Sequence, residues 1–252
     1  MLNGNQTGCL LLEYILRKEK ENGTLPKNGA VVKTIVTSEL VRKIADDYGI
    51  ITLDVLTGFK FIGEKIKEYE ADGSHTFIFG FEESCGYLRG THARDKDAVV
   101  ASMLFAEMTC YYQSVGKSVY GRLKEIYDKY GYVADVTDSV KYSGLNAMSD
   151  MNAAVERMRE KKVENVGIYS ISAVRDYLKG ERTSGGEVKK LDISGVNCLY
   201  YELLSGGFIC LRPSGTEPKL KIYYSVKAKD KAHADKAIEE LRANFNELLS
   251  AE

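Results

Sequence analysis

From residue 5 to about residue 112 the sequence switches repeatedly between apolar residues spaced for a helix and short apolar runs of strand length. That order fits a layered α/β domain with a largely parallel sheet. Helices are expected over residues 7–20, 38–48, 59–69 and 97–113, and strands over "AVVKTIV" (30–36), "IITLDV" (50–55) and "HTFIFG" (75–80). Asn22-Gly23 ends the first helix, Ser38 caps the second and Gly49 ends it. An amphipathic helix over 118–130 completes the unit.

After Gly131 the pattern changes. "YVADVTDSVKY" reads as a strand and 149–161 as a helix; irregular and strand-like segments then lead to "NCLYYELLSGGFICLR", a hairpin turning at Gly206-Gly207. "KLKIYYSVKA" (219–228) is another strand, and the helix expected over 230–248 repeats Ala234, Ala237, Ile238, Leu241, Phe245 and Leu248 at helical period. The expected fold class is therefore α/β: a layered domain over 1–131 with a mainly parallel sheet, then a smaller α+β domain over 132–252 with a largely antiparallel sheet.

With 252 residues, 44% of them hydrophobic, the chain can bury two cores. A net charge of -1 gives no global pull toward nucleic acid or an anionic membrane, so any anion must be caught locally. No apolar run reaches the length of a membrane span, and the N-terminal stretch lacks a basic segment and a small-residue cleavage site, so the expected location is the cytoplasm. Cys9, Cys85, Cys110, Cys198 and Cys210 are scattered and form no CxxC pair, so they read as reduced thiols. A nucleophilic Cys85 would need a neighbouring base, for which His92 is the nearby candidate.

In a parallel α/β unit, ligands collect at the carboxyl edge of the sheet. Three loops fall there: Thr37-Ser38, Thr57-Gly58-Phe59-Lys60, and residues 80–87, "GFEESCGY". Adjacent side chains diverge, so only one of Glu82 and Glu83 faces a given ligand, and Glu82 with Ser84 would present a carboxylate and a hydroxyl to the same side. That pairing suits sugar hydroxyls. A plainly solvated loop is the alternative; a glycosidase pair is disfavoured because its carboxyls must flank a bond. Downstream, "THARDKDAVV" carries His92, Arg94 and Lys96, which either meet a phosphate or belong to a solvated face where Asp95 or Asp97 caps the next helix.

The stretch "CLRPSGTEPKL" (210–220) lies between two strand-like runs and does not fit a Walker A loop. Arg212 offers a planar fork to a phosphate, Ser214 and Thr216 add hydroxyls, Gly215 admits close backbone approach, and Pro213 and Pro218 stiffen the loop. A polar turn is the other reading.

Taken together, "GNQTG" (4–8), "TGFK" (57–60), "GFEESCGY" (80–87), "RDKD" (94–97) and "RPSGTEPK" (212–219), in this order, resemble the α-D-phosphohexomutase superfamily of phosphoglucomutases and phosphomannomutases. The resemblance implies that Glu82 and Ser84 bind the sugar, that Arg212, Ser214, Gly215 and Thr216 bind the phosphate not being transferred, and that Thr57, Gly58 and Arg94 line the cleft. It makes Lys96 the candidate partner of the transferred phosphoryl group. Members have four domains, with a phosphoserine loop in the first and an Asp-x-Asp-x-Asp magnesium loop in the second. Neither loop is found in this sequence, which therefore reads as domains three and four. The implied partners are a hexose phosphate substrate and domains one and two, and the implied cofactors are Mg²⁺, with ligands outside this chain, and glucose 1,6-bisphosphate as activator or intermediate. The chain alone is expected to bind without turnover. A free-standing sugar-phosphate-binding module is the competing expectation.

Overall fold

In the computed structural model, residues 1–250 are described, and the chain divides into two compact units, Met1–Gly131 and Tyr132–Glu252.

In the first unit, Asn3 sets the start of helix α1 (Gly4–Glu21). Its side chain accepts the Gln6 amide at 2.9 Å, and the Gln6 side chain accepts the Asn3 amide at 3.0 Å. This reciprocal cap starts the helix ahead of the expected residue 7. Strand β1 (Gly29–Thr34) follows, then α2 (Leu40–Asp47), β2 (Ile51–Val55), α3 (Phe59–Asp72), β3 (Thr76–Glu82), β4 (Gly86–Arg89), α4 (Ala98–Ser114) and α5 (Val119–Tyr130). The Ser38 hydroxyl accepts the Leu40 amide at 3.4 Å, and α2 begins later than the expected 38.

The sheet runs β2-β1-β3-β4, with β1 parallel to both β2 and β3. Strand β4 pairs antiparallel with β3 through Glu82↔Gly86, so the expected loop over 80–87 is a hairpin. The polar "EESC" run hid it, because the residues that pair sit on both sides of a turn in which Cys85 adopts φ 63. On one side of the sheet α3 buries Phe59, Ile62 and Ile66 against Ala30, Val32, Phe77 and Leu88. Each such side chain contributes about 1.5–3 kcal/mol. On the other side Phe81 meets α1 at Gly8, where an added Cβ would lie 2.2 Å from the ring.

The second unit holds β5 (Tyr132–Lys141), α6 (Ala147–Glu160), β6 (Asn165–Val166), β7 (Tyr169–Asp176), β8 (Glu181–Ser184), β9 (Glu187–Lys190), β10 (Leu199–Leu203), β11 (Gly207–Pro213), β12 (Lys219–Ala228) and α7 (Lys231–Ser250). The strands form one antiparallel sheet in the order β5-β12-β11-β10-β7-β8-β9, with β6 paired to β7 off this path. Alternate residues Leu199, Tyr201 and Leu203, with Ile209, Leu211, Ile222 and Tyr224, share one core with Val155 of α6 and with Leu241 and Phe245 of α7. The hairpin β8–β9 has no apolar alternation because it forms the sheet's exposed edge, so only its Gly185-Gly186 turn marks it.

Candidate functional site

The carboxyl ends of the parallel strands bring three of the sequence motifs together. Glu82 is the last residue of β3, and its Oε1 accepts the Gly58 amide at 2.9 Å. Gly58 holds φ 123 and ψ 127, a conformation that side-chain-bearing residues rarely adopt, so glycine is required at this joint. Thr57 beside it is half-buried.

Across the hairpin from Glu82 stands Gly86. An added Cβ there would lie 3.1 Å from Lys96 Cδ, 3.4 Å from Glu82 Oε2 and 3.5 Å from Phe59 Cδ2. Glu82, Lys96 and Phe59 therefore converge on one small space, which exists because residue 86 has no side chain. Lys96 Nζ lies 5.7 Å from the Phe59 ring centroid and 3.0 Å from Asp95 Oδ1. Ser84 is exposed at the hairpin turn.

The rest of the 91–97 loop has internal partners. His92 Nε2 meets Asp97 Oδ2 at 2.8 Å, while Asp97 Oδ1 accepts the Val99 and Val100 amides at 2.8 and 3.1 Å. Asp97 thus caps α4, and the His92 contact first, then those amides, hold its carboxyl below the usual range. Asp95 instead accepts the Lys96 amide at 2.7 Å. Arg94 donates to the Thr91 carbonyl at 2.5 Å and pairs with Glu70 of α3, so its guanidinium is engaged with α3 rather than grouped with Glu82.

Two supports were not recognised as such in the sequence. The "GNQTG" segment braces the glutamate hairpin from behind: the Tyr87 hydroxyl donates to the Gly4 carbonyl at 2.9 Å, and a Cβ on Gly4 would lie 2.0 Å from the Glu83 carbonyl oxygen. Asn5 Oδ1 accepts the Ser38 amide at 3.0 Å, tying the same segment to the β1–α2 loop. Lys33, fully buried in β1, reaches Glu39 at 2.8 Å, Asp54 at 3.0 Å and the Thr37 carbonyl at 3.1 Å. Burial alone would discharge this lysine, but Asp54 and Glu39 outweigh it and raise its pKa. The one available signal was a lysine inside the apolar run "AVVKTIV".

In the second unit, "RPSGTEPK" is the turn joining β11 to β12. Its neck is closed by the Ser214 amide donating to the Lys219 carbonyl at 2.9 Å, and the Tyr142 amide fixes the Pro218 carbonyl at 2.9 Å. Arg212 Nη1 donates to the Tyr223 hydroxyl at 3.2 Å from the facing strand. Residues 215–217 are exposed. Gly215 has neither a positive φ nor any neighbour within 4 Å of an added Cβ, so the turn's own geometry does not demand glycine there.

Among the described residues, no group of three or more His, Cys, Asp or Glu side chains is arranged to hold a metal ion.

The motifs that share the first unit's sheet edge also mark its kinship. The family model described as "Phosphoglucomutase/phosphomannomutase, alpha/beta/alpha domain III" matches residues 3–130. The phosphoglucomutase of Staphylococcus haemolyticus is 33% identical over 225 residues, covering 88% of this chain and 40% of that protein. That of Staphylococcus saprophyticus is 31% identical over 245 residues, covering 96% and 43%. This chain thus spans about two-fifths of the length of these relatives. The fold is shared with the open form of parafusin, a Paramecium phosphoglucomutase, at a TM-score of 0.62 and 16% identity over 99% of this chain and 42% of that one. It is shared also with a phosphoglucomutase/phosphomannomutase family protein of Burkholderia thailandensis, at a TM-score of 0.55 and 11% identity over 97% and 41%. With residues 3–130, more than half of its length, matched by that family's domain III, the chain belongs to the phosphoglucomutase/phosphomannomutase family.

Proposed function

We propose that the chain supplies hexose and phosphate recognition to a phosphohexomutase that interconverts hexose 1-phosphate and 6-phosphate through a bisphosphate. The first unit acts as domain three and the second as domain four. Each contributes one element of recognition. Domains one and two of such a protein carry the phosphoserine and the magnesium ligands, and glucose 1,6-bisphosphate serves as intermediate or activator. Without those domains the chain binds and does not turn over.

The single observation that carries this reading is the geometry around Glu82. One carboxylate oxygen is used by the Gly58 amide, which fixes the rotamer, while the other points to the space that Gly86 leaves beside Lys96. A carboxylate held this way accepts hydrogen bonds from vicinal sugar hydroxyls without first being ordered, so less entropy is lost on binding. The adjacent ammonium of Lys96 supplies the positive charge that a phosphoryl group in transit requires. On the second unit, the Arg212 fork and the exposed amides of the turn form a phosphate cradle. There the open space at Gly215 is room for an oxyanion against the backbone.

The test is a thermal-shift titration of the purified chain with glucose 1-phosphate and with glucose 1,6-bisphosphate. A ligand that binds only the folded state raises the melting temperature, by mass action. No shift at millimolar ligand removes the reading, and magnesium-dependent turnover by the chain alone removes the expected inactivity.

A further inference from the structure

Cys198 and Cys210 are the two cysteines of the second unit, and their sulfurs meet. The Sγ atoms lie 3.1 Å apart, and both residues are fully buried. A formed disulfide holds its sulfurs about 2.05 Å apart, so a closing movement of about 1 Å separates this thiol pair from a bond.

The strands explain the meeting. Tyr200 of β10 stands opposite Cys210 of β11, and Leu199 stands opposite Leu211. Cys198 directly precedes β10, so its side chain reaches Cys210 diagonally across the pair, on the same side of the sheet. Its carbonyl accepts the Tyr177 amide at 3.0 Å, and the Tyr177 carbonyl accepts the Gly195 amide at 2.8 Å, which fixes the approach to β10 from the end of β7. The Tyr177 hydroxyl accepts Arg175 Nη1 at 3.5 Å. Burial pushes that hydroxyl above the ordinary tyrosine range and outweighs Arg175, while the two nearby thiols act in the same direction as burial. A hydroxyl kept protonated beside the pair is a donor for a thiolate, the form of cysteine that reacts. Among the described residues, no third His, Cys, Asp or Glu joins the two thiols to hold a metal ion.

We propose that Cys198 and Cys210 are a redox modification site at which hydrogen peroxide forms a reversible disulfide that staples β10 to β11. The thiolate of one cysteine attacks a peroxide oxygen, the O–O bond breaks, and a sulfenic acid and one water result. The second sulfur then attacks the sulfenic sulfur, the S–O bond breaks, and a second water leaves. Two thiols and one peroxide become one disulfide and two waters: the sulfurs lose two electrons, the peroxide gains them, and the thiol protons end in water. A small dithiol reverses the step by exchange. Hydrogen peroxide is little larger than water and reaches the buried pair when the strand end opens locally. Because β11 runs from Cys210 through Arg212 into the turn of "RPSGTEPK", the bond anchors the strand that carries this turn.

The test is peptide mass mapping of the purified chain, treated under native conditions with hydrogen peroxide and then denatured, alkylated and digested with trypsin. Residues 191–219 come off as one peptide, since Pro213 protects Arg212, and this peptide holds both cysteines and no methionine. It should lose two hydrogen atoms and take up no alkyl group, and dithiothreitol before alkylation should restore two alkylated cysteines. Cys198→Ser should abolish the change and leave Cys210 alkylated, whereas Cys110→Ser, at an exposed thiol in α4, should leave disulfide formation as in the parent. In the oxidised parent, amide hydrogen exchange over residues 199–211 should slow by about tenfold or more, as the staple suppresses opening of the strand pair. The proposal is overturned if the peptide from peroxide-treated protein still carries two alkyl groups, if Cys198 or Cys210 gains oxygen instead, or if exchange over 199–211 is unchanged in the disulfide form. The principal measurement uses the parent chain, so it holds even if Cys198→Ser folds poorly. Hexose phosphate plays no part in it, and the outcome is independent of the mutase reading.

Discussion

The Glu82 carboxylate accepts the Gly58 amide at 2.9 Å, and this one bond joins the end of β3 to the start of α3. Glu82→Gln keeps an acceptor for Gly58 but replaces the second oxygen with a donor. The fold should survive, with a melting temperature close to that of the parent. Glucose 1-phosphate affinity should fall by about 1–3 kcal/mol, the cost of a charge-assisted hydrogen bond left unmade. Calorimetric titration of both proteins checks this, and equal affinity would place Glu82 outside the sugar site.

Gly4→Ala tests the brace behind the hairpin. The new methyl would lie 2.0 Å from the Glu83 carbonyl oxygen, and that neighbour is backbone, which cannot swing aside as a flexible side chain does. Either α1 or the hairpin must move, at a cost of about 1–3 kcal/mol. Urea unfolding should show that loss, with hexose phosphate affinity reduced as well because the displaced segment carries Ser84. A variant with parental stability would mean that the close approach is absent in solution.

Glu202 gives the second unit a pH-dependent term. Burial pushes its carboxyl up, but hydrogen bonds from Arg182 and Arg175 outweigh that and hold its pKa below the ordinary value. A depressed folded-state pKa means that the stabilisation is present above the unfolded value, near pH 4.3, and is lost as pH falls through the folded value. Glu202→Gln should therefore cost about 1–2 kcal/mol at pH 7, a partly exposed pair being worth less than a buried one. Toward pH 2 the cost should shrink as the carboxylate takes up its proton. Urea unfolding at the two pH values decides it, and an equal cost at both would assign the effect to packing.

The parallel core of the first unit was legible because buried strands such as "AVVKTIV" and the amphipathic helices between them differ sharply in period. Local chemistry fixed some ends, as where Ser118 caps α5 and Gly73, at φ 66, ends α3. Strand β4 and the β8–β9 hairpin were not legible, since their pairing depends on partners across a polar turn and their own residues show little alternation. At the site, Glu82 could be singled out from its place after an apolar run, but its bond to Gly58 could not, because that joins residues from two different strand ends. The engagement of Arg94 with Glu70 and Thr91 was hidden for the same reason.

The turn of "RPSGTEPK" allows the two readings of that loop to be separated by one pair of substitutions. Gly215 needs no special backbone conformation and an added methyl meets nothing, so Gly215→Ala should leave stability within about 0.5 kcal/mol of the parent. If the open space is room for a phosphate, however, the methyl stands where an oxyanion must approach the amides, and hexose phosphate affinity should fall. Arg212→Lys complements this. The charge is kept, but a point ammonium cannot give two parallel hydrogen bonds, so affinity should drop by about 1–3 kcal/mol. Loss of the Arg212 bond to the Tyr223 hydroxyl is controlled by Tyr223→Phe, which removes the same 3.2 Å contact while leaving the guanidinium in place. A phosphate cradle predicts weaker binding in both Gly215→Ala and Arg212→Lys, with the first variant as stable as the parent. A polar turn predicts that glucose 1-phosphate binds all of these proteins alike, and that result would detach the second unit from ligand recognition.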